Sequence, residues 1–454
     1  MCTSRHLARR IAMLLAFALI AQDNCFAQRT LAIRGAKLET VSKLGTVDDG
    51  VILIRDGKIE AIGKDIKIPL ATQVIDAKGK SIMPGIVDPY YVVAVGRDAQ
   101  AAESRTIVIR GQTITLPGGP PSSSIAFAKI ADGIDLDSID WKGSIRSGTT
   151  TMQLAISGYA QSLVVQSTSK VPTIVQADGK LLVSVTNATQ SLDVLRNGLR
   201  PPGSNPGAPS GPAGGPPSGP GPGFGRPPVG GRPSPQPPSP QPPSPQPPSP
   251  ATPESSTASP NPAATATSLS PTQKLWSEVR EGKSSLFVNV NNAATILHCL
   301  AAVKESKQAR VVFIASGSDL FEAIQDLDPK SHMAILPPRI DFVPNSRDRV
   351  NIPKLLNEKE VPFAFSLSLG QSEFRAQLDS PLFAVSSLVR SGLNRQKALE
   401  ALTMIPAKLI GVEAEVGSLE VGKKANFLIL DGDPFDATTS IQSVFVDGKQ
   451  IHEN

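Results

Sequence analysis

Hydrophobic spacing along the chain changes character three times. Between residues 31 and 76, short apolar runs alternate with polar positions and turn residues, which predicts strands at 31–37, 51–55, 58–62 and 74–76. Asp56-Gly57 separates the second and third of these. It is a hairpin signal, because such turns need positive φ and glycine supplies it without steric cost. From 81 to 199 the pattern shifts to continuous apolar runs at 149–156, 163–166 and 181–185 with longer connections. Strands buried on both faces and joined by long crossovers predict a parallel α/β arrangement.

After residue 271 strand and helix alternate. Strands are predicted at 286–290, 310–315, 333–336 and 361–366, with helices at 293–304, 319–327, 381–390 and 394–404. Asn394 is the expected N-cap of the last helix, and Pro406 is expected to break it. The closing segment returns to strands at 427–430 and 441–446, followed by the turn Asp447-Gly448. These strands cannot form a stable sheet alone, so they are expected to pair with the N-terminal ones.

Residues 200–271 are dominated by Pro, Gly and Ser, and Pro-Gln-Pro-Pro-Ser recurs between Pro235 and Ser249. Proline fixes φ and removes donors, so this stretch is expected to be a disordered, polyproline-like surface insertion. A docking site for a partner or for cell-wall material is its less favoured use. The fold class that follows is α/β: an irregular TIM-like (β/α)8 barrel in two halves, 81–199 and 272–412, interrupted by this insertion. A small β-sandwich is expected from both chain ends, 28–80 and 413–454.

Composition adds a compartment. Arg5, Arg9 and Arg10 precede an apolar run at 11–21 that is too short to span a bilayer comfortably. Residues 1–27 therefore read as a secretory signal cleaved after Ala27, placing the protein in the periplasm or outside the cell. A retained anchor is the rival; Gln22-Asp23-Asn24 before Cys25 is unlike the approach to a lipid-modified cysteine. Cleavage would leave Cys299 alone, so no internal disulfide is expected. It would also lower the net charge of +5. The remaining cations are scattered among Asp and Glu, which excludes a clustered nucleic-acid footprint. No later stretch is long and apolar enough for a transmembrane helix.

The segment Met83-Pro84-Gly85-Ile86-Val87-Asp88-Pro89-Tyr90-Tyr91-Val92 follows Ile52 to Gly63 and Val74 to Lys80. That order resembles the amidohydrolase superfamily (imidazolonepropionase-like branch), where P-G-hydrophobic-hydrophobic-D-x-H-x-H opens the barrel. Three further stretches carry the resemblance: Ser147-Gly148-Thr149-Thr150-Thr151, the helix at 397–403 with Pro406-Ala407-Lys408-Leu409-Ile410-Gly411, and Gly417-Ser418-Leu419-Glu420 through Asp433-Pro434. In the last, Asn426 stands where the family usually has Asp.

The resemblance implies a divalent metal, such as zinc, that lowers the pKa of bound water for attack on an amide carbon. Its ligands would come from strand C-terminal ends. This chain departs from that pattern at each station. Tyr90 and Val92 occupy the two histidine positions of the first strand, Asn289 stands on the strand that often ends in a metal-binding histidine, and Ser368 matches the water-binding aspartate. Asn, Ser and Tyr are poor zinc ligands beside His or carboxylate, so no cofactor is predicted. Asp88 reads as structural. His298 sits in a predicted helix, where a lone histidine is normally surface or satisfied core, and His332 precedes a strand; both are weak candidates. Cys299 reads as a buried small hydrophobe.

Three functions remain open on the sequence. A degenerate amidohydrolase would bind a ligand, or associate with an active paralogue or with itself. A working hydrolase of cyclic amides or related carbon–nitrogen bonds would need an atypical site. A cell-surface structural protein would depend on the proline-rich insertion.

Overall fold

Gly85 is where the chain passes from one sheet to the next. The computed structural model describes residues 30–93, 105–109, 112–116, 134–139, 141–156, 161–185, 189–201, 271–304, 306, 308–369 and 381–454. The expected signal and the repeat-bearing insertion lie outside the described residues.

Five strands precede Gly85: β1 (Thr30–Glu39), β2 (Thr46–Arg55), β3 (Lys58–Gly63), β4 (Gln73–Asp76) and β5 (Ser81–Pro84). As expected, Asp56 and Gly57 carry φ of 50° and 81°, closing the β2–β3 hairpin. Next come β6 (Ile86–Val93), the antiparallel pair β7 (Arg105–Ile109) and β8 (Gln112–Leu116), α1 (Lys142–Arg146), β9 (Thr149–Ile156) and β10 (Leu163–Gln166). Before residue 202 there follow β11 (Thr173–Gln176), β12 (Leu181–Val185) and α2 (Thr189–Leu199).

The chain resumes with α3 (Pro271–Arg280), β13 (Ser285–Val290), α4 (Ala293–Val303), β14 (Arg310–Ile314), α5 (Gly317–Phe321), β15 (His332–Leu336) and the short pair β16 (Asp341–Phe342) and β17 (Arg349–Val350). It continues through α6 (Ile352–Glu358), β18 (Phe363–Phe365), α7 (Pro381–Arg390), α8 (Arg395–Leu402) and α9 (Met404–Ile410). The last strands are β19 (Phe427–Leu430), β20 (Ile441–Val446) and β21 (Lys449–Glu453).

Three local expectations need correction. Pro271 belongs to α3 rather than to the insertion; a proline opening a helix gives up only an N–H that would be unpaired anyway. The helix expected at 319–327 is the five-residue α5 followed by a 3-10 turn at Ile324–Asp326. Pro406 does not terminate a helix. Thr403 (φ −132°, ψ −74°) already breaks α8, and Pro406 sits in the first turn of α9, where backbone N–H groups have no intrahelical partner. Asn394 does cap α8, its side chain accepting from the Lys397 N–H at 3.1 Å.

Both chain ends build one eight-stranded sheet, ordered β21-β20-β19-β5-β1-β2-β3, with β4 also paired to β1. Ile33, Leu38, Ile52, Ile54, Ile59, Ile82, Phe427 and Phe445 form its apolar core. Phe427 and Phe445 stack with ring centroids 4.6 Å apart. A second sheet runs β11-β10-β9-β6, with β6 and β9 parallel. The third, β12-β13-β14-β15-β18, is parallel throughout. Alternate residues of these strands enter two different cores. Leu182, Phe287, Val312, Ile335 and Ala364 share a cluster with Val87 and Tyr90, whereas Val183, Val288, Phe313, Ala334 and Phe363 pack with α2, α4 and α8. No described helix is long and apolar enough to cross a membrane.

At the crossing itself, the Gly85 N–H donates to Asn426 O and the next N–H, of Ile86, donates to Gly148 O, both at 3.0 Å. A Cβ on Gly85 would lie 2.3 Å from Thr150 Cγ2 and 2.4 Å from its Oγ1. Thr150 is buried and stiff at χ1, so it cannot swing clear. Gly85→Ala should therefore cost about 1–2 kcal/mol, measured by denaturant unfolding. Adding Thr150→Ala should recover only part of the loss, because Thr150 Cβ itself would lie 2.8 Å from the new atom.

Candidate functional site

The opening strand β6 is not regular. Its ladder to β9 pairs Asp88 with Met152 and then Tyr91 with Leu154, so Pro89 and Tyr90 are passed over. Proline can donate nothing to a ladder and is tolerated at such an irregularity, and irregularities of this kind re-aim side chains. Here the result places Asp88 and Tyr90 in the interior, at 0% and 6% exposure.

Asp88 fastens β6 to the segment leaving β18. Its Oδ1 accepts from the Tyr90 N–H at 3.0 Å, and its Oδ2 from the N–H groups of Leu367 (3.0 Å) and Ser368 (3.3 Å). Burial pushes its carboxyl up to about 6, against the pull of these N–H groups and of the Ser366 hydroxyl. The Ser366 hydroxyl donates to Tyr90 O at 2.8 Å, the Ser368 hydroxyl donates to the same oxygen, and the two hydroxyls lie 3.2 Å apart.

Across the interior, Asn289 Nδ2 donates to the Tyr90 hydroxyl at 3.1 Å. Burial raises the pKa of that phenol. Ser184 is the register partner of Asn289 on β12. On β9, Gln153 Nε2 donates to Pro89 O at 3.0 Å. Gln153 Oε1 and Thr151 Oγ1 are buried without a hydrogen-bond partner among the described residues.

The structure thus brings Asp88, Tyr90, Asn289 and Ser368 together where the middle of β6 meets the C-terminal ends of β13 and β18. Val92 is 48% exposed and makes no part of this network. His298 is exposed on α4, in the helical layer. His332 opens β15 at its N-terminal end, the opposite end from Asn289 on the parallel β13. There its Nδ1 accepts from the Asp328 N–H at 2.9 Å, and burial lowers its pKa against the opposing pull of Asp328. Cys299 is buried, its thiol pushed up to about 12 by burial. Sequence reasoning missed Ser366 and Gln153. The i, i+2 spacing Ser366–Ser368, and the Thr149-x-Thr151-x-Gln153 alternation within an apolar strand, were the available signals.

These donors do not fit a catalytic zinc, which takes three protein ligands from His, Cys or carboxylate and leaves a position for water. Among the described residues no three His, Cys, Asp or Glu side chains converge. The only carboxylate in the network already has both oxygens engaged by backbone N–H groups. What the arrangement offers is a set of neutral hydroxyl and amide groups around one buried acid.

Comparison with known proteins adds an independent line. The amidohydrolase family model matches residues 386–452. Imidazolonepropionase from Methylobacterium nodulans is 32% identical over 148 residues, 30% of this chain and 36% of that protein. The Solibacter usitatus imidazolonepropionase is 35% identical over 131 residues, 27% of this chain and 31% of its own. The chain therefore spans about a third of the length of these relatives. Among solved structures, an amidohydrolase from Thermotoga maritima superposes with a TM-score of 0.62 at 16% identity, covering 93% of this chain and all of that one. That likeness gives the fold: a TIM-like α/β architecture.

Proposed function

Because the chain belongs to the amidohydrolase superfamily, on its imidazolonepropionase-like branch, we propose that it is a non-hydrolytic member that uses the strand-end site to bind a neutral, hydrogen-bonding ligand. The observation that carries this reading is the bonding of Asp88. With both oxygens held by backbone N–H groups, its carboxylate serves as a brace between β6 and β18. Tyr90 and Asn289, where the resemblance implies metal ligands, hydrogen-bond to each other instead. An active relative or a second copy of the chain is the kind of partner such a member would serve.

The same reading takes β6, β9, β10, β12, β13, β14, β15 and β18 as a closed, irregular barrel. Support comes from the Gln161–Leu181 bridge between the segment entering β10 and β12, the serine bonds to Tyr90 O from the segment leaving β18, and the single cluster shared by Val87, Phe287 and Ile335. For the terminal sheet, the sandwich reading rests on the core it closes around Phe427 and Phe445.

A second reading, hydrolysis of carbon–nitrogen bonds in cyclic amides, is favoured by the match to imidazolonepropionases. One experiment separates the two: metal analysis of the purified protein after dialysis, with turnover measured on cyclic amides and dipeptides with and without added zinc. The binding reading expects substoichiometric metal and no turnover. Stoichiometric zinc with turnover would replace it by the second.

A further inference from the structure

Five cations dispersed in the sequence, Arg34, Lys37, Lys64, Lys78 and Lys80, meet around one cleft of about 800 Å³ on the terminal sheet. Its walls also carry three carboxylates, Asp49, Asp76 and Asp433, and the buried Glu39 lies 3.3 Å from Lys37. Two of the three lining carboxylates are committed. Asp76 pairs with Arg34 at 3.3 Å, and Asp433 pairs with Arg395 at 2.6 Å and Lys37 at 3.4 Å. Among the described residues Lys64, Lys78 and Lys80 make no ion pair, and Asp49 is the one lining acid left to offset them.

Surplus positive charge in a concavity concentrates the field there and draws anions in. Each ammonium is a compact point charge with three donors, suited to oxyanion oxygens. The volume falls in the range of about 300–1,000 Å³ that holds small organic ligands, so it exceeds the need of a single inorganic ion. We propose that this cleft is a binding site for a multivalent oxyanionic small molecule, bearing phosphate or carboxylate groups, separate from the strand-end site. Lys64, Lys78 and Lys80 supply the attraction. Arg34 and Lys37, already neutralised by Asp76 and Asp433, shape the wall.

Calorimetric titration of the full-length protein with tripolyphosphate and with citrate tests this and distinguishes phosphate from carboxylate. At an ionic strength of about 0.01 M, where screening acts over about 30 Å, at least one probe should bind at a single site. Near 1 M, where it acts over about 3 Å, that binding should be lost. The pair Lys78→Gln/Lys80→Gln, the first exposed and the second half-buried, should weaken binding about tenfold or more, with its thermal transition unchanged. The control pair Lys354→Gln/Lys397→Gln, on α6 and α8, should not weaken it. Failure of both probes at low ionic strength, or equal losses in the two pairs, would overturn the proposal. Tyr90→Phe and Asn289→Ala should leave anion binding intact, so the cleft is tested independently of the strand-end reading.

Discussion

Replacing Asp88 by alanine should lower the stability of the chain by about 3 kcal/mol or more, because three backbone N–H groups lose their acceptor. Each buried donor left unsatisfied costs about 1–3 kcal/mol, and the residue is fully buried, so water does not substitute. Asparagine is nearly isosteric, yet its NH2 would face the N–H of Tyr90 or those of Leu367 and Ser368, donor against donor. Asp88→Asn should therefore be only a partial rescue. The two variants also report on pH. Burial raises the Asp88 carboxyl from 3.8 to about 6, so in this window the folded state holds a proton that the unfolded chain has released. Stability from this group is present below about pH 4 and lost as pH rises toward about 6. At 1.36 kcal/mol per pKa unit, the loss is about 3 kcal/mol. Denaturant unfolding between those pH values should show this decline in the wild type relative to Asp88→Asn. A difference that is flat with pH, or rises, would remove the assigned role.

The strands were the most legible part of the chain. The predicted strands at 149–156, 163–166, 181–185, 427–430 and 441–446 coincide with β9, β10, β12, β19 and β20; the signal is most continuous in β10 and β19, which are buried at every position. Helices α2 and α3 were not foreseen. Each mixes charged and polar residues, and they flank the low-complexity stretch, where composition masks periodicity. What betrays them is Gly198: a Cβ there would meet the Trp276 ring at 2.3 Å, a close helix approach that no local pattern reveals. At the site, Tyr90 and Asn289 could be singled out by position along the family pattern. Their bond to each other could not, since it joins strands 199 residues apart. Asp88 was read as structural, but the backbone N–H donors it accepts from depend on where β18 ends. The basic cleft was invisible for a similar reason. Its cations are interleaved with Asp49, Asp65 and Asp76 in sequence and segregate only when β1, β3 and the turn after β4 come together.

Arg395→Met should cost about 2 kcal/mol and loosen α8 from the terminal sheet. The guanidinium bonds Glu39 Oε1 at 2.8 Å and Asp433 Oδ1 at 2.6 Å, and it lies 5.0 Å from the centre of the Phe435 ring. Methionine keeps the apolar stem and removes the charge, leaving Glu39, 3% exposed, with Lys37 and the Thr46 hydroxyl. Stripping one partner from a fully buried pair costs about 3–5 kcal/mol. Arg395 is 37% exposed, so solvent screening brings the expectation down to about 2. Lysine should recover less than half, because one ammonium cannot reproduce a fork spanning two carboxylates. The pH dependence is opposite in sign to that of Asp88. Burial pushes Glu39 up, but the Thr46 hydroxyl and Arg395 outweigh it and hold the carboxyl below its usual value. Its stability is therefore present above about pH 4.5 and lost as pH falls through the depressed value. Arg395→Met should be most destabilised relative to wild type near neutrality, with the gap closing in acid. A gap that is constant with pH would mean that the arginine contributes through packing on Phe435 and not through Glu39. The two residues thus bracket the molecule from opposite ends of the strands' charge chemistry: one acid kept inside by backbone donors, the other by a cation that ties helix to sheet.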